Sequence, residues 1–343
     1  MFDLTELRTP IVVAPMAGGP STPALAAAVC RAGGLGFLAA GYKTPDALAE
    51  QIEDLRGRTD APFGVNLFVP QPPPDLSAIA GYREELRSEA DRYGASLPEP
   101  DPGDDDGWGE KIALLLADPV PVVSFTFGLP SAEVVADLHG VGSYLVATVT
   151  SVAEAQAADR LGVDALCVQG PDAGGHSGTH DPDADPGATP LRELLGAVGG
   201  RTSLPLIAAG GLATGADIAA VLRAGARAVQ LGTAYLRTPE SGAKPAHKRA
   251  LADPRFTTTV MTRAFSGRYA RGLRNRFIDE HDATAVAGYP LVNQLTQPLR
   301  AAAAAQDDPD GLSLWAGTGY RHATDTPAES LTAELWDAAR PEA

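Results

Sequence analysis

"PLIAAGGLATGADIAAVLRAGARAVQLGTAYL", residues Pro205 to Leu236, sets two short apolar runs around one amphipathic helical stretch. Apolar runs too continuous to leave one face in water, joined through a helix, describe parallel strands buried on both faces. Moving outward, the same unit recurs in "IVVAPM", "LGFLAAG", "FGVNLFV", "PVVSFTF", "SYLVATV" and "ALCVQG", which with the opening pair makes eight strands. Helix starts fall between them: Thr22 before Pro23, Thr44 before Pro45, Ser131 and Ser151, each a side chain able to cap a helix N-terminus. Eight such units predict an α/β fold, a (β/α)8 TIM barrel. A doubly wound open sheet would use fewer strands in one series.

Two stretches interrupt the alternation. Pro70 to Glu110 is proline-rich, then charged, then acidic, and Thr238 to Pro309 is a second excursion with helical "KPAHKRALAD" and "YPLVNQLTQPLRAAAAAQ". Both leave the C-terminal ends of strands, where barrel active sites lie. We therefore assign 1–70, 111–238 and 310–343 to the barrel and 71–110 with 239–309 to a small lid or substrate domain. The "DPGDDDG" segment on its own reads as a solvated loop.

The 343 residues are 44% hydrophobic and carry a formal net charge of −16, which opposes binding to nucleic acid or an anionic membrane. No apolar run approaches the ~20 residues of a membrane span, and "MFDLTELRTPIVVAPM" has no basic segment of the signal-peptide kind. Cys30 and Cys167 form no C-x-x-C motif, which fits a reducing compartment, so the expected address is the cytoplasm. Nothing in the sequence sets an oligomeric state.

Chemistry belongs at the strand ends. Gly210 with Gly211, and Gly232 with Thr233, stand after two adjacent strands, where glycine backbones can approach a phosphate. No Walker lysine follows, which points to a mononucleotide-type cofactor rather than a nucleoside triphosphate. After the sixth strand comes "QGPDAGGHSGTHD", Gln169 to Asp181, a glycine-rich loop carrying His176 and His180. An imidazole at a strand mouth suits proton abstraction near neutral pH. A metal is not expected: four-residue histidine spacing makes a ligand pair on a helix, and Gly175 and Gly178 argue against one. His180 is read as a solvated loop residue, and the five arginines of "TRAFSGRYARGLRNRF" as pairing with lid carboxylates.

"PIVVAPMAGGPSTPALAAAVCRAGGLGFLAAGY", "FGVNLFVPQPP", "VVSFTFGLP", "DALCVQGPDAGGHSGTH", the opening stretch, "SGRYARGLRNRF" and "LWAGTGY" resemble, in that order, the nitronate monooxygenases, once called 2-nitropropane dioxygenases. The resemblance implies an FMN-dependent enzyme that oxidises alkyl nitronates, with nitroalkanes as a further candidate substrate, using dioxygen and no NAD(P)H to give a carbonyl compound and nitrite. It implies His176 as catalytic base. Cofactor contacts would fall on Met16, Asn66, Gln169, Gly174, Gly175, Gly210, Gly211, Gln230, Leu231, Gly232 and Thr233. Gly174 and Gly175 would let the loop lie close to the flavin, and Asp172 would orient His176. Two positions depart from the family pattern: Asp172 stands where Glu is usual and Thr318 where many members carry Gln. The alternative readings are an FMN-dependent enoyl-acyl carrier protein reductase or an NAD(P)H:quinone reductase on the same barrel, and a flavin-binding carrier without turnover.

Overall fold

The structure, a computed structural model, describes residues 2–340. Its strands in chain order are β1 (Ile11–Val13), β2 (Gly36–Ala39), β3 (Phe63–Phe68), β4 (Val122–Thr126), β5 (Tyr144–Val149), β6 (Ala165–Gln169), β7 (Gly175–His176), β8 (Leu206–Ala209), β9 (Ala228–Leu231), β10 (Thr259–Thr262) and β11 (Ala270–Leu273). Eight of them form one parallel sheet in the order β1-β9-β8-β6-β5-β4-β3-β2. Leu35 closes the circle, its N–H donating to Ile11 at 3.0 Å and its carbonyl accepting from Val13 at 3.0 Å. The fold is a (β/α)8 TIM barrel. Each apolar run supplied one strand, and the run ends, such as Ala14 to Met16 and Gly210 to Gly211, are loops at the mouth.

Side-chain alternation along each strand builds two layers. Val12, Phe37, Val122, Val146, Cys167 and Ile207 point inward, and Leu4 of the N-terminal segment packs beneath them. Gly64 makes room here, since a Cβ on it would come 2.3 Å from the Phe37 ring. Ile11, Leu38, Val65, Val123, Leu145, Val168 and Leu231 point outward against the helices. Thr22, Thr44, Ser131 and Ser151 cap those helices as the sequence suggested, each hydroxyl accepting from the N–H three residues on.

The two excursions share one hydrophobic cluster. Ile79, Tyr82 and Leu86 of the first pack with Phe265, Phe277, Leu291 and Leu295 of the second. Beside it the fully buried Glu89 receives a two-pronged contact from Arg276 at 2.6 and 2.8 Å. The acidic segment is only partly the solvated loop its composition suggested. Asp101, Asp104 and Asp105 are exposed, but Asp106 turns in to pair with Lys111 at 2.8 Å and to accept from the Tyr42 N–H at 2.8 Å. Gln294 of the helix Leu291–Ala305 ties Asp104 at 2.7 Å.

The second excursion also reaches the histidine loop. Its hairpin β10–β11 takes β7 as a third antiparallel strand, His176 opposite Ala270 and Gly175 opposite Arg271.

Candidate active site

A cavity of about 390 Å³ occupies the mouth of the barrel, a size usual for ligand sites. Its floor is polar: Asn66 of β3, Gln169 of β6 and Gln230 of β9 face inward from strand ends. Met16, Gly210, Gly211, Gly232 and Thr233 line one side, and Gly174, Gly175 and His176 another. Leu231 is the exception. It is buried between sheet and helices, because side chains alternate along β9 and Gln230 takes the inward position.

Gly211 has φ +72° and Gly210 φ +115°, conformations that L side chains resist. Gly232 has φ −110° and is not constrained in this way. The backbone N–H groups of Gly211 and Gly232 donate to no other group among the described residues. Two expected polar contacts are committed elsewhere. The Gln169 amide donates to the His176 carbonyl at 3.1 Å and accepts from the Gly178 N–H at 2.7 Å, so it holds the histidine loop. Thr233 Oγ1 accepts from the Gly317 N–H at 3.0 Å.

The glycines of the histidine loop serve the protein itself. A Cβ on Gly174 would lie 2.4 Å from Gly317 N and 2.6 Å from Ala316 C, so the "LWAGTGY" segment requires Gly174. Gly175 has open space around it but φ +74°. The expected Asp172–His176 contact does not form: the Asp172 carbonyl accepts from Thr318 N–H at 3.1 Å, and its side chain lies beside Gly211. His176 bonds instead to Ser266 Oγ at 2.8 Å through Nε2. Ser266 has one proton and directs it to the Arg268 carbonyl at 3.1 Å. With the Ser266 proton directed there, the hydrogen of the His176–Ser266 bond is assigned to Nε2, which leaves Nδ1 as the basic lone pair.

Phe127, Tyr289 and Trp315 surround the imidazole, with ring centroids 5.6, 5.9 and 5.5 Å away. Burial in this aromatic box, then the guanidinium charges of Arg268 and Arg300, push the His176 pKa down to about 3. The ring is neutral across the physiological range. His180 is not the solvated residue expected. It is half-buried, with Nε2 against the Thr148 carbonyl at 3.0 Å and its N–H on Glu154 at 2.8 Å.

The arginine island is structural, but only partly through carboxylates. Arg274 and Arg276 pair with Asp279 and Glu89. Arg263, Arg268 and Arg271 donate to carbonyls of Pro182, Ser177 and Pro171, clamping the histidine loop from above. Residues that sequence reading did not select also line the cavity: Lys244, His247, Asn293, Gln297 and Arg300 of the second excursion, and Trp315 just beyond it. Ser266 was equally unmarked. The one available signal was the spacing of Asn293, Gln297 and Arg300, which shares a helix face.

The model of the family described as nitronate monooxygenase matches residues 2–337. The chain belongs to the nitronate monooxygenase family. The probable nitronate monooxygenase of Bacillus subtilis is 39% identical over 332 residues, covering 94% of this chain and 93% of that one. The nitronate monooxygenase of Pseudomonas aeruginosa is 38% identical, covering 97% and 96%. Among solved structures, the nitroalkane oxidase of Streptomyces ansochromogenes is 52% identical with a TM-score of 0.94, covering 97% and 96%. The FabK protein of Thermotoga maritima is more distant, at 27% identity and a TM-score of 0.76, covering 98% and 94%.

Membership makes the chain an oxidoreductase acting on a small molecule. No helix among the described residues is long and apolar enough to cross a membrane.

Two histidines of this chain couple its stability to pH. Burial lowers His247 to about 4, as it lowers His176 to about 3, from an ordinary 6.5. A base depressed in the folded state binds its proton only on unfolding. Its contribution is complete above pH 6.5 and is lost as pH falls below it. Each should cost about 1.4 kcal/mol per pH unit through that window. Urea unfolding of the apoprotein at pH 7 and pH 5 should show a lower midpoint at pH 5, and His247→Gln should shrink the difference.

Proposed function

We propose that the chain oxidises alkyl nitronates with dioxygen to a carbonyl compound and nitrite, using FMN, and that His176 is the base when a neutral nitroalkane is the substrate. The observation that carries the reading is a neutral imidazole on the wall of a cavity that also holds phosphate-type glycine loops and an amide floor.

The residues present fit FMN. Gly211 and Gly232 offer uncommitted N–H groups for a phosphate, as loops after the last two strands of a barrel commonly do. Gln230, whose amide makes no hydrogen bond among the described residues, and the free carbonyl of the Asn66 amide face the space for a ring. Met16 and the backbones of Gly174, Gly175 and Gly210 complete the walls. Leu231 supports those walls from behind, and Gln169 stands on the floor with its amide holding the histidine loop. Bound FMN would take up two electrons from the substrate and return them to dioxygen.

The protein's own work begins with the substrate carbon facing Nδ1. The aromatic box excludes water, and Ser266 holds the ring through Nε2–H. A pKa of about 3 makes a weak base in the free protein. The negative charge that develops on the nitro group as the proton leaves favours the imidazolium and offsets that weakness. A pre-formed nitronate needs no such transfer. The two excursions act as one lid domain over this chemistry, and the buried free thiols Cys30 and Cys167 fit a cytoplasmic enzyme.

Purified protein mixed with ethylnitronate in air should consume dioxygen and release nitrite and acetaldehyde in equal amounts. Under nitrogen, NADH should leave the flavin oxidised; rapid bleaching would favour the reductase reading instead. Gly232→Val tests the phosphate loop. A Cβ there meets Ala14 at 3.4 Å and Met16 at 3.6 Å, ordinary contacts, so the fold accepts the change while the added methyl groups enter the cavity. FMN affinity should fall tenfold or more, about 1.4 kcal/mol, with unfolding of the apoprotein unchanged. Gly211 is the poorer test, because its φ and a 2.7 Å approach to Asp172 Cβ would strain the backbone as well.

A further inference from the structure

Arg300 and Lys244 stand on the lid side of the cavity. Arg300 is immobilised by neutral partners only: Asn293 Oδ1 at 2.7 Å, the Asn293 carbonyl at 3.1 Å, and the Thr296 carbonyl and Ser313 Oγ at 3.4 Å. That leaves an Nη1 hydrogen uncommitted on a guanidinium whose plane is set. The Lys244 ammonium, at the rim, makes no hydrogen bond among the described residues. No carboxylate pairs with either side chain among the described residues. Burial lowers the pKa of Arg300, and burial together with Arg300 lowers that of Lys244. Arg300, a half-buried cation left without counter-charge in a chain of net charge −16, is costly unless an anion visits it, and Lys244 adds an exposed positive charge at the same mouth.

We propose that Arg300 and Lys244 form an anion subsite for a planar two-oxygen group, the nitronate of the substrate or the nitrite it releases, and that this subsite sets the preference for nitronate anions over neutral nitroalkanes. The inference rests on the reading of the cavity given above. A fixed guanidinium suits a planar pair of oxygens, and the lysine adds charge without geometry. A hydrogen bond to a charged acceptor is roughly twice as strong as one to a neutral acceptor. Each residue therefore separates the two substrates by roughly tenfold. Arg300 also acts on His176, helping to keep the ring neutral. One side chain thus favours both a charged substrate and an uncharged base.

The test is the holoenzyme with Lys244→Gln and Arg300→Gln, titrated calorimetrically with sodium nitrite at constant ionic strength. Nitrite should bind competitively with ethylnitronate, and each variant should bind it about tenfold more weakly. The ratio of kcat/KM for ethylnitronate to that for nitroethane should fall by a similar factor. Sodium acetate, with the same planar oxygen pair, should compete, and sodium chloride should not. Unchanged nitrite affinity in both variants overturns the subsite, as do equal losses on both substrates or chloride competing as well as nitrite. Lys244 is exposed and unbonded, so its variant keeps the test valid if Arg300→Gln fails to fold. Nitrite binding needs no turnover: an enzyme that binds nitrite here but releases none from ethylnitronate would refute the proposed oxidation and leave the subsite standing.

Discussion

Replacing His176 by Asn should slow turnover of nitroethane by about 10² to 10⁴, the usual worth of a general base, and slow oxidation of ethylnitronate far less. The two substrates differ by one proton. Nitroethane must lose it from carbon before electrons can leave, and Nδ1 is the lone pair that Ser266 and the aromatic box leave available. Asn keeps approximate size and a donor toward Ser266 but has no basic nitrogen. The acid side of the wild-type kcat/KM profile carries a second signature. Because burial and two guanidinium groups hold His176 near pH 3, the rate should not fall as pH drops through 6.5. Steady-state rates on both substrates from pH 5 to 8 decide the matter. Equal losses on the two would make His176 a binding residue, and an acid limb centred near 6.5 would contradict the buried, neutral ring.

Gly174→Ala should be nearly as damaging although it touches no substrate. Its Cβ would sit 2.4 Å from Gly317 N and 2.6 Å from Ala316 C, and both obstacles are backbone. The approach is reciprocal, since a Cβ on Gly317 would come 2.6 Å from the Asp172 carbonyl. One strand of this contact must move, breaking the Thr318 to Asp172 hydrogen bond and shifting the loop that carries His176 two residues later. Overpacking of this kind costs about 1–3 kcal/mol, and a displacement of ~1 Å at a reacting group costs about 10² in rate. Thermal unfolding and kcat/KM should fall together. Gly175→Ala is the control: it has open space and suffers only its φ of +74°, so about 1 kcal/mol is expected. Equal behaviour of the two variants would mean that the loop is not braced by the 316–317 segment.

What the sequence determined by itself was everything carried within one element. Eight apolar runs became eight strands, and Thr22, Thr44, Ser131 and Ser151 became caps, because periodicity and capping depend on residues three or four apart. The resemblance counted both Gln230 and Leu231 as cofactor contacts, and strand alternation in the structure puts Gln230 inward and Leu231 outward. His176 and the glycine loops were legible because strand ends of a barrel converge on one mouth whatever the loops do. Only the tertiary structure decided what His176 touches. Ser266 lies 90 residues away along the chain and is delivered by the hairpin that recruits β7 into its sheet. Tyr289 and Arg300 likewise arrive on the second excursion, and Trp315 on the segment that follows it. Their positions follow from how Phe265, Phe277 and Leu291 pack against Ile79 and Tyr82, and such packing is non-directional and spread over many small contacts. No single residue announces it, so the partner of His176 is fixed only when the two excursions pack together over the barrel mouth.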